Sequence, residues 1–261
     1  MRIQGKKIVL TGAASGIGKA ILEKLITMDT TVVVGDINPE KIPMVSERVY
    51  PLHCDVSKKE NIDRLFSEAL RLMGDIDIFI ANAGYAYYET LDTPDWDHIA
   101  AIMETDFISP VYAIEKMREL KGDCEHAVVI TASPMARRPI PGYALYSAAK
   151  AALDSFIRAY RYESPDSALI SLVFPIATKT EFFSRAGSGT PMPWPSQTPE
   201  QVAAAILNGI RKNRKSIYPS RLFFLLMIVD RIFPLILPLY AKIQDRKFRR
   251  WVRERRNNDG I

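Results

Sequence analysis

The chain has 261 residues, 48% hydrophobic and 25% charged, which is typical of a soluble globular protein and excludes a disordered or collagenous chain. Its formal net charge of +5 comes entirely from residues 241–261, where eight Lys and Arg accompany three acids, so the neutral body argues against nucleic-acid binding. Two distant cysteines and three isolated histidines predict neither a disulfide framework nor a metal site. The low cysteine content and the lack of a signal-like apolar run at the N-terminus favour a cytoplasmic protein.

Apolar runs of strand length alternate with longer helical segments along the first 215 residues. The predicted strands are Lys7–Thr11, Thr31–Gly35, Val49–Cys54, Ile76–Ala81, Ala127–Ser133 and Leu169–Phe174. The predicted helices are Gly16–Met28, Pro39–Arg48, Lys58–Met73, Asp95–Leu120 and Tyr143–Tyr162, with one more capped by Thr198 and running to about Lys212. Nearly continuous Val and Ile in the strands indicate a parallel sheet covered on both faces. The pattern predicts one doubly wound α/β domain over residues 1–215, followed by an extension over 216–261.

The first strand runs into the glycine-rich stretch TGAASGIG, which opens a helix. Glycines let the backbone turn sharply and approach a pyrophosphate, which lies against the partial positive charge of the helix N-terminus. We therefore predict a dinucleotide site. Its residues in this loop are Gly12, Ser15, Gly16, Ile17 and Gly18.

Asp36 ends the second strand and predicts which dinucleotide binds. A carboxylate there can accept hydrogen bonds from the adenosine ribose hydroxyls and repels a 2′-phosphate. Neither Arg nor Lys lies in the glycine loop or directly after Asp36. The prediction is NAD(H) rather than NADP(H); the alternative is that Asp36 merely caps the following helix.

Tyr146 and Lys150 lie four residues apart in a predicted helix and so share one helix face. A neighbouring ammonium and a cationic nicotinamide both favour phenolate and would move the tyrosine pKa toward the range useful for a general base. Such a pair alone is often a solvated helix face. Ser133, at the end of the fifth strand, strengthens the functional interpretation.

Several short stretches, in order along the chain, resemble the short-chain dehydrogenase/reductase family. They are TGAASGIG at 11–18, Asp36, Asp55-Val56, Asn82-Ala83-Gly84, Ser133, Pro141-Gly142, YSAAK at 146–150, and Pro175 with Thr180. The resemblance runs from about residue 5 to residue 215. It implies a Rossmann fold with a seven-stranded parallel sheet, one active site per subunit, and a homodimer or homotetramer.

The resemblance also implies residue roles. In the cofactor site they are Asp55 and Val56 at the adenine, Asn82, Ala83 and Gly84 after the fourth strand, Lys150 at the nicotinamide ribose, and Thr180 at the carboxamide, preceded by Pro175. Tyr146 would act as general acid and base while Ser133 polarises the substrate oxygen. The implied reaction is hydride transfer between nicotinamide and a carbinol carbon.

Two residues depart from the family pattern. Asp106 stands where the family usually has an asparagine that supports a water relay to the active-site lysine, and Ile176 follows Pro175 where the family usually has glycine. An ionised carboxylate offers only acceptors, so any hydrogen bond donated by the amide is lost. We expect an enzyme in which Asp106 belongs to the catalytic group and Ile176 narrows the nicotinamide pocket.

Residues 184–199 are rich in Gly, Pro and Ser and follow the sixth strand. They form either a plain connection or, as we favour because ligands bind at the carboxyl ends of strands, a substrate lid over about 181–199. Many large side chains follow strand ends or lie in this segment. They are Tyr85, Tyr87, Tyr88, Met135, Tyr143, Phe182, Phe183, Met192 and Trp194. Some are expected to be ordinary core, but together they suggest a lipophilic substrate such as a steroid, a retinoid or a fatty alcohol.

The predicted function is therefore an NAD(H)-dependent alcohol dehydrogenase or carbonyl reductase. A weakly catalytic dinucleotide-binding scaffold or sensor is the alternative, favoured by the altered Asp106 and Ile176.

The carboxyl-terminal extension combines an apolar segment, 222–240, with the basic tail. Asp230 and Arg231 divide the apolar segment and Pro234 and Pro238 are expected to interrupt a helix, so it is too short to span a bilayer. Three partners remain open for it. These are the protein's own core or a subunit interface, a peripheral membrane surface contacted through 222–256 with Phe248 and Trp251 beside anionic headgroups, and the active site, covered as by a lid.

Overall fold

A computed structural model describes residues 1–43, 46–187, 189–232 and 236–259. The strands are β1 (Lys7–Thr11), β2 (Thr31–Asp36), β3 (Val49–His53), β4 (Ile78–Ala81), β5 (His126–Thr131), β6 (Ala168–Val173), β7 (Ala177–Thr178), β8 (Ser196–Gln197) and β9 (Ser216–Ile217). The α-helices are α1 (Gly16–Ile26), α2 (Lys59–Met73), α3 (Trp96–Met103), α4 (Ser109–Lys121), α5 (Ala144–Tyr160), α6 (Phe182–Ala186), α7 (Pro199–Arg211), α8 (Arg221–Ile232) and α9 (Ile236–Asp259).

Seven strands form one parallel sheet in the order β3-β2-β1-β4-β5-β6-β9, and β7 pairs with β8 separately. The strand order reverses between β1 and β4, so their crossover helices lie on opposite faces and a crevice opens at the carboxyl ends of these two strands. The predicted doubly wound, seven-stranded Rossmann fold is confirmed. Its six predicted strands agree with the structure to within a few residues.

Alternating side chains of the central strands supply two hydrophobic cores. In β1, Ile8 and Leu10 face the core covered by α1 and α7, while Val9 faces the core covered by α2, α4 and α5. Both faces are buried, which is why these strands read as unbroken apolar runs rather than as alternating ones.

The helix predicted over 39–48 is wrong in extent, because the structure has only a 3₁₀ turn at Pro39–Lys41 before residue 43. Pro43 disfavours helical geometry at Ile42, which is extended with φ −87° and ψ 119°. Residues 44 and 45 of that prediction lie outside the described residues, as do residue 188 of the predicted lid and residues 233–235, including Pro234, and 260–261 of the extension.

The long helix predicted over 95–120 is split by a π-helical turn, Glu104–Ile108, between α3 and α4. Pro110 has no N–H to donate to the carbonyl of Asp106, and its ring would clash with that carbonyl in a regular α-helix. The wider π turn relieves this conflict. It also sets the direction of the Asp106 side chain, which is completely buried.

In the extension, α8 and α9 lie against the α/β body. Trp251 is 8% exposed and packs edge-on against Tyr88, and Phe248 packs against the same ring, so these two aromatics turn inward rather than outward, where one of the three alternatives would place them. Pro238 lies in the first turn of α9, where proline is tolerated, and does not interrupt the helix. Among the described helices, none combines the length and the apolar composition that crossing a bilayer requires.

Candidate active site

A single cavity of about 1150 Å³ follows the carboxyl edge of the sheet from the glycine loop to the C-terminal helices. It brings together nearly all the residues predicted for the site. Those that line it are Gly12, Ser15, Gly16, Ile17, Asp36, Asp55, Val56, Asn82, Ala83, Gly84, Asp106, Ser133, Tyr146, Lys150, Pro175, Ile176 and Thr180. Gly18 lies outside the wall formed by the described residues. It is needed for packing instead, because a Cβ there would lie 1.9 Å from the carbonyl oxygen of Gly12.

The glycine loop is held in shape by Asn82, which follows β4. The Asn82 Nδ2 donates to the Gly12 carbonyl at 2.9 Å, and its Oδ1 accepts from the Thr131 hydroxyl at 3.1 Å. Gly12 and Gly16 adopt φ of 71° and 58°, which favour glycine. Asn82 thus positions the loop through contacts that link β4, β5 and the start of α1.

The open end of this loop fits a pyrophosphate. Ser15 is the N-cap of α1 and, as far as the described residues show, its hydroxyl makes no capping hydrogen bond to the helix. Ser15 also lines the cavity, where the hydroxyl and the N-terminal amides of α1 can serve an anion. Thr180 packs beside Gly16, since a Cβ at this glycine would lie 3.0 Å from the Thr180 methyl carbon.

At the other end of the cofactor region, the Asp36 carboxylate is already oriented by backbone amides. Its Oδ2 accepts from Ala14 N–H at 2.8 Å and its Oδ1 from Asn38 N–H at 2.9 Å. The remaining lone pairs can accept from ribose hydroxyls. Lys41 lines the same cavity and was missed by the sequence reasoning. It lies five residues beyond Asp36 and could have been found only by knowing that the predicted helix stops at this turn.

Three polar side chains converge midway along the cavity. The Lys150 Nζ lies 5.7 Å from the centre of the Tyr146 ring and donates to the Thr131 carbonyl at 2.9 Å. The Ser133 side chain lies close enough to the Tyr146 hydroxyl to lower the pKa of the phenol. All three side chains are at least 90% buried, and all three line the cavity. A carbonyl or hydroxyl oxygen placed beside Ser133 would meet the phenol as well.

Asp106 joins this group from the π-helical turn. Its Oδ1 forms a buried ion pair with Lys150 Nζ at 2.8 Å. Gly84 makes room for the carboxylate, because a Cβ at that position would lie 2.4 Å from the same oxygen. Burial raises the pKa of Asp106, and Lys150 opposes this rise.

Burial and nearby charges together set the pKa of Tyr146. Burial raises the pKa of the phenol, the negative charge of Asp106 raises it further, and the Ser133 side chain lowers it. In the chain itself, burial and the charge of Asp106, which is in contact with Lys150, therefore keep this pKa above its usual value. The predicted lowering depends on a cationic nicotinamide as well as on Lys150, and it stays a prediction for the protein with its cofactor.

Beyond Tyr146 the cavity becomes mostly apolar. Of the large side chains predicted for a substrate pocket, Tyr85, Met135, Phe182, Phe183 and Trp194 line it. The others do not contribute to the wall that the described residues form: Tyr88 and Tyr143 are buried core, Tyr87 stacks on His98 at 3.8 Å between ring centres, and Met192 is 41% exposed.

The far wall comes from the C-terminal extension, which sequence reasoning had left among three partners. Its lining residues are Leu222, Phe223, Leu226, Asp230, Pro238, Tyr240, Ala241, Ile243, Gln244 and Lys247. Asp230 is 1% exposed and accepts from Arg138, with Nε at 3.1 Å. Because Arg138 follows shortly after Ser133, this ion pair ties α8 to the loop that carries the serine. An acidic residue inside an apolar run was the signal that could have indicated a buried cationic partner.

Comparisons with known proteins agree with this geometry. The family model for short chain dehydrogenases matches residues 6–190. Epidermal retinol dehydrogenase 2 of Homo sapiens is 25% identical over 248 residues, which cover 89% of this chain and 80% of that protein.

Two solved structures show the same fold. A short chain dehydrogenase/reductase from Burkholderia phymatum in complex with NAD superposes with a TM-score of 0.78 at 20% identity, over 91% of this chain and 96% of that one. A short chain dehydrogenase from Burkholderia cenocepacia in complex with NADP superposes with a TM-score of 0.77 at 23% identity, over 92% of this chain and 99% of that one.

Proposed function

The chain belongs to the short-chain dehydrogenase/reductase family of oxidoreductases, and on that premise we propose that it interconverts an alcohol and a carbonyl on a lipophilic small molecule with NAD(H). The single observation that carries the proposal is the continuity of the cavity. Ser133, Tyr146 and Lys150 lie between the part of the cavity lined by the glycine loop and Asp36 and the apolar chamber walled by α8 and α9.

In the proposed mechanism, Tyr146 exchanges a proton with the substrate oxygen and Ser133 donates a hydrogen bond that holds this oxygen. When bound, a nicotinamide dinucleotide would supply the hydride chemistry. Lys150, fixed by the Thr131 carbonyl, would hold a ribose hydroxyl of this group, and it places positive charge near the phenol. Burial and the charge of Asp106 both raise the pKa of Tyr146, so in the chain itself the phenol holds its proton near neutral pH and can donate it to a carbonyl oxygen.

The NAD(H) preference is supported by Asp36. Its carboxylate lines the cavity and is held by two backbone amides, so a 2′-phosphate would meet a fixed negative charge. Lys41 lines the same cavity, and its positive charge would act in the opposite sense by attracting a 2′-phosphate. Fluorescence titration of the purified chain with both dinucleotides is expected to show tighter binding of NADH than NADPH. The opposite order would overturn the assignment of Asp36.

Activity is tested by following nicotinamide absorbance with a series of aldehydes and ketones of increasing apolar size, and with the matching alcohols. We expect the ratio kcat/KM to rise with apolar size. Tyr146→Phe is expected to lose at least 100-fold in kcat, in line with removal of a general acid, while still binding NADH. Equal rates in the wild type and in this variant would refute the proposed role of Tyr146.

A dinucleotide-binding scaffold or sensor is the second candidate, and the buried contact between Asp106 and Lys150 favours it. A protein of that kind would bind NADH equally well in the wild type and in Tyr146→Phe. Any turnover would also be the same in the two proteins. The same titration and substrate series therefore distinguish the two candidates.

A further inference from the structure

The outer faces of α8 and α9 carry exposed apolar side chains. On α8, Leu225 is 56% exposed and Ile228 is 45% exposed; on α9, Leu239 is 63% and Ile243 47% exposed. Residues three or four apart in a helix project from the same face, so each pair forms a local apolar stripe. Exposed apolar side chains clustered in this way commonly mark an interaction site.

This surface continues into the mouth of the cavity. Leu222, Trp194 and Ile243 are all exposed and also line the cavity. Trp194, which is 76% exposed, is joined to α9 because its carbonyl accepts a hydrogen bond from the Tyr240 hydroxyl at 3.3 Å. The exposed apolar surface and the chamber proposed to hold the substrate are therefore one continuous feature.

Positive charge lies directly beside the apolar residues. Lys242 and Arg246 are exposed and share a face of α9 with Leu239 and Ile243. The other side of α9 packs on the body through buried Gln244 and Trp251 and half-buried Phe248, which fixes the basic side outward. Residues 241–261 hold the whole net positive charge of the chain.

We propose that these elements dock on an anionic lipid bilayer, with the mouth of the cavity facing the lipid. The docking surface, called here the rim surface, consists of Trp194, Leu222, Leu225, Ile228, Leu239, Lys242, Ile243 and Arg246. Apolar side chains enter the interfacial region while the two cations pair with headgroup phosphates and carboxylates. A second copy of the chain is the less favourable occupant, because a two-fold interface would bring two basic helices together.

The rim surface also suggests how substrate reaches the site. A lipophilic molecule dissolved in the bilayer would enter the chamber past Leu222 and Ile243 without crossing water. This second statement rests on the proposed function, whereas the docking itself does not.

Docking is tested by co-sedimentation of the full chain with vesicles of phosphatidylcholine, with and without phosphatidylserine. Binding is expected only to the anionic vesicles and is expected to fall as salt rises. Lys242→Gln with Arg246→Gln should weaken it about 10- to 30-fold, from the attraction of about two basic residues to an anionic surface. Leu225→Glu with Ile228→Glu should weaken it at least as much.

Matched controls lie away from the rim surface. Tyr162, which is 93% exposed just beyond the end of α5, provides Tyr162→Glu, and exposed Lys212 after α7 provides Lys212→Gln. These helices run antiparallel to the strands, so both positions lie at the opposite edge of the sheet. Both controls are expected to bind anionic vesicles like the wild type. Equal binding by the rim and control variants, or recovery of the full chain in the supernatant, would overturn the docking proposal.

Two further readouts separate the other outcomes. A dimer in analytical ultracentrifugation that Leu225→Glu with Ile228→Glu abolishes, without any vesicle binding, would assign the rim surface to a second copy and refute the lipid proposal. If vesicles bind but no apolar carbonyl is turned over, the proposed function fails while docking stands. If both docking and turnover are observed, Leu225→Glu with Ile228→Glu should lower the rate on substrate supplied in anionic vesicles and leave the rate on substrate supplied in solution unchanged.

Discussion

Replacing Asp106 by asparagine tests how charge is arranged around Tyr146. The substitution keeps the shape of the side chain and removes its negative charge. Asp106 Oδ1 lies 2.8 Å from Lys150 Nζ, which lies 5.7 Å from the centre of the Tyr146 ring. The carboxylate is therefore within about 8.5 Å of that ring, and at an effective dielectric constant of about 20 its charge disfavours phenolate by about 2 kcal/mol.

That energy corresponds to about 1.5 pKa units. We expect Asp106→Asn to lower the pKa of Tyr146 by about 1.5 units. Alcohol oxidation requires the phenolate, so the acid side of its pH profile should move down by the same amount, with rates up to about 30-fold higher on that side. Burial raises the pKa of Asp106, so wild type and variant should behave alike where this carboxyl is protonated and diverge as pH rises past its pKa.

The measurement is kcat/KM for alcohol oxidation against pH, in the wild type and in Asp106→Asn. A matched control is Asp154→Asn, which removes another buried carboxylate from the same region of the fold, one that pairs with Arg137 rather than with Lys150. This control should leave the position of the acid limb unchanged. An unchanged limb in Asp106→Asn, or a collapse of its turnover, would show that the charge of Asp106 does not act on Tyr146 as reasoned.

Three further predictions concern the cofactor end, the C-terminal wall and the space around Asp106. Asp36→Ala should weaken NADH binding about tenfold or more by removing hydrogen bonds to a charged acceptor, and should weaken NADPH binding less; an unchanged ratio in paired titrations would contradict the ribose contact. Arg138→Ala leaves Asp230 buried with fewer partners and should cost about 1–3 kcal/mol of unfolding free energy, less than the about 3–5 kcal/mol usual for breaking a buried pair, because the Arg138 side chain is 44% exposed. Hydrogen exchange in α8 should also become faster; equal exchange in the two proteins would refute the link between α8 and the loop that carries Ser133. Gly84→Ala places a Cβ 2.4 Å from the Asp106 carboxylate and should lower turnover about tenfold, with partial recovery when Asp106→Ala is added; strictly additive effects in this double-mutant cycle would refute the clash.

Much of the fold was readable from local patterns. The apolar strands, the glycine loop and the spacing of Tyr146 and Lys150 each depend on residues that are neighbours in the chain, so periodicity and turn chemistry report them directly. The exceptions also have local causes. Pro43 ends a predicted helix at a 3₁₀ turn, and Pro110 converts part of another into a π turn. Hydrophobic periodicity misses both effects unless the steric properties of proline are considered as well.

The site itself was only partly readable. Motif order predicted which residues would line the dinucleotide region, and the structure places all of them except Gly18 along one cavity. The resemblance connected Asp106 with the active-site lysine through a water relay. The sequence could not show the direct ion pair with Lys150, because the two residues are 44 positions apart and meet only after α5 packs beside the π turn. The burial of Tyr146, which is the main cause of its raised pKa, likewise follows from packing.

By itself, then, the sequence determined the alternating α/β order, the place of the phosphate-binding turn and the pairing of a tyrosine with a lysine on one helix face, since each follows from short-range geometry. Only the tertiary structure decided that α8 and α9 close the far side of the cavity. It also decided that Arg138 meets Asp230 across 92 positions of chain and that Phe248 and Trp251 turn inward while Lys242 and Arg246 face out. These are long-range contacts, selected by how whole elements pack and bury their charges, and no local pattern encodes them.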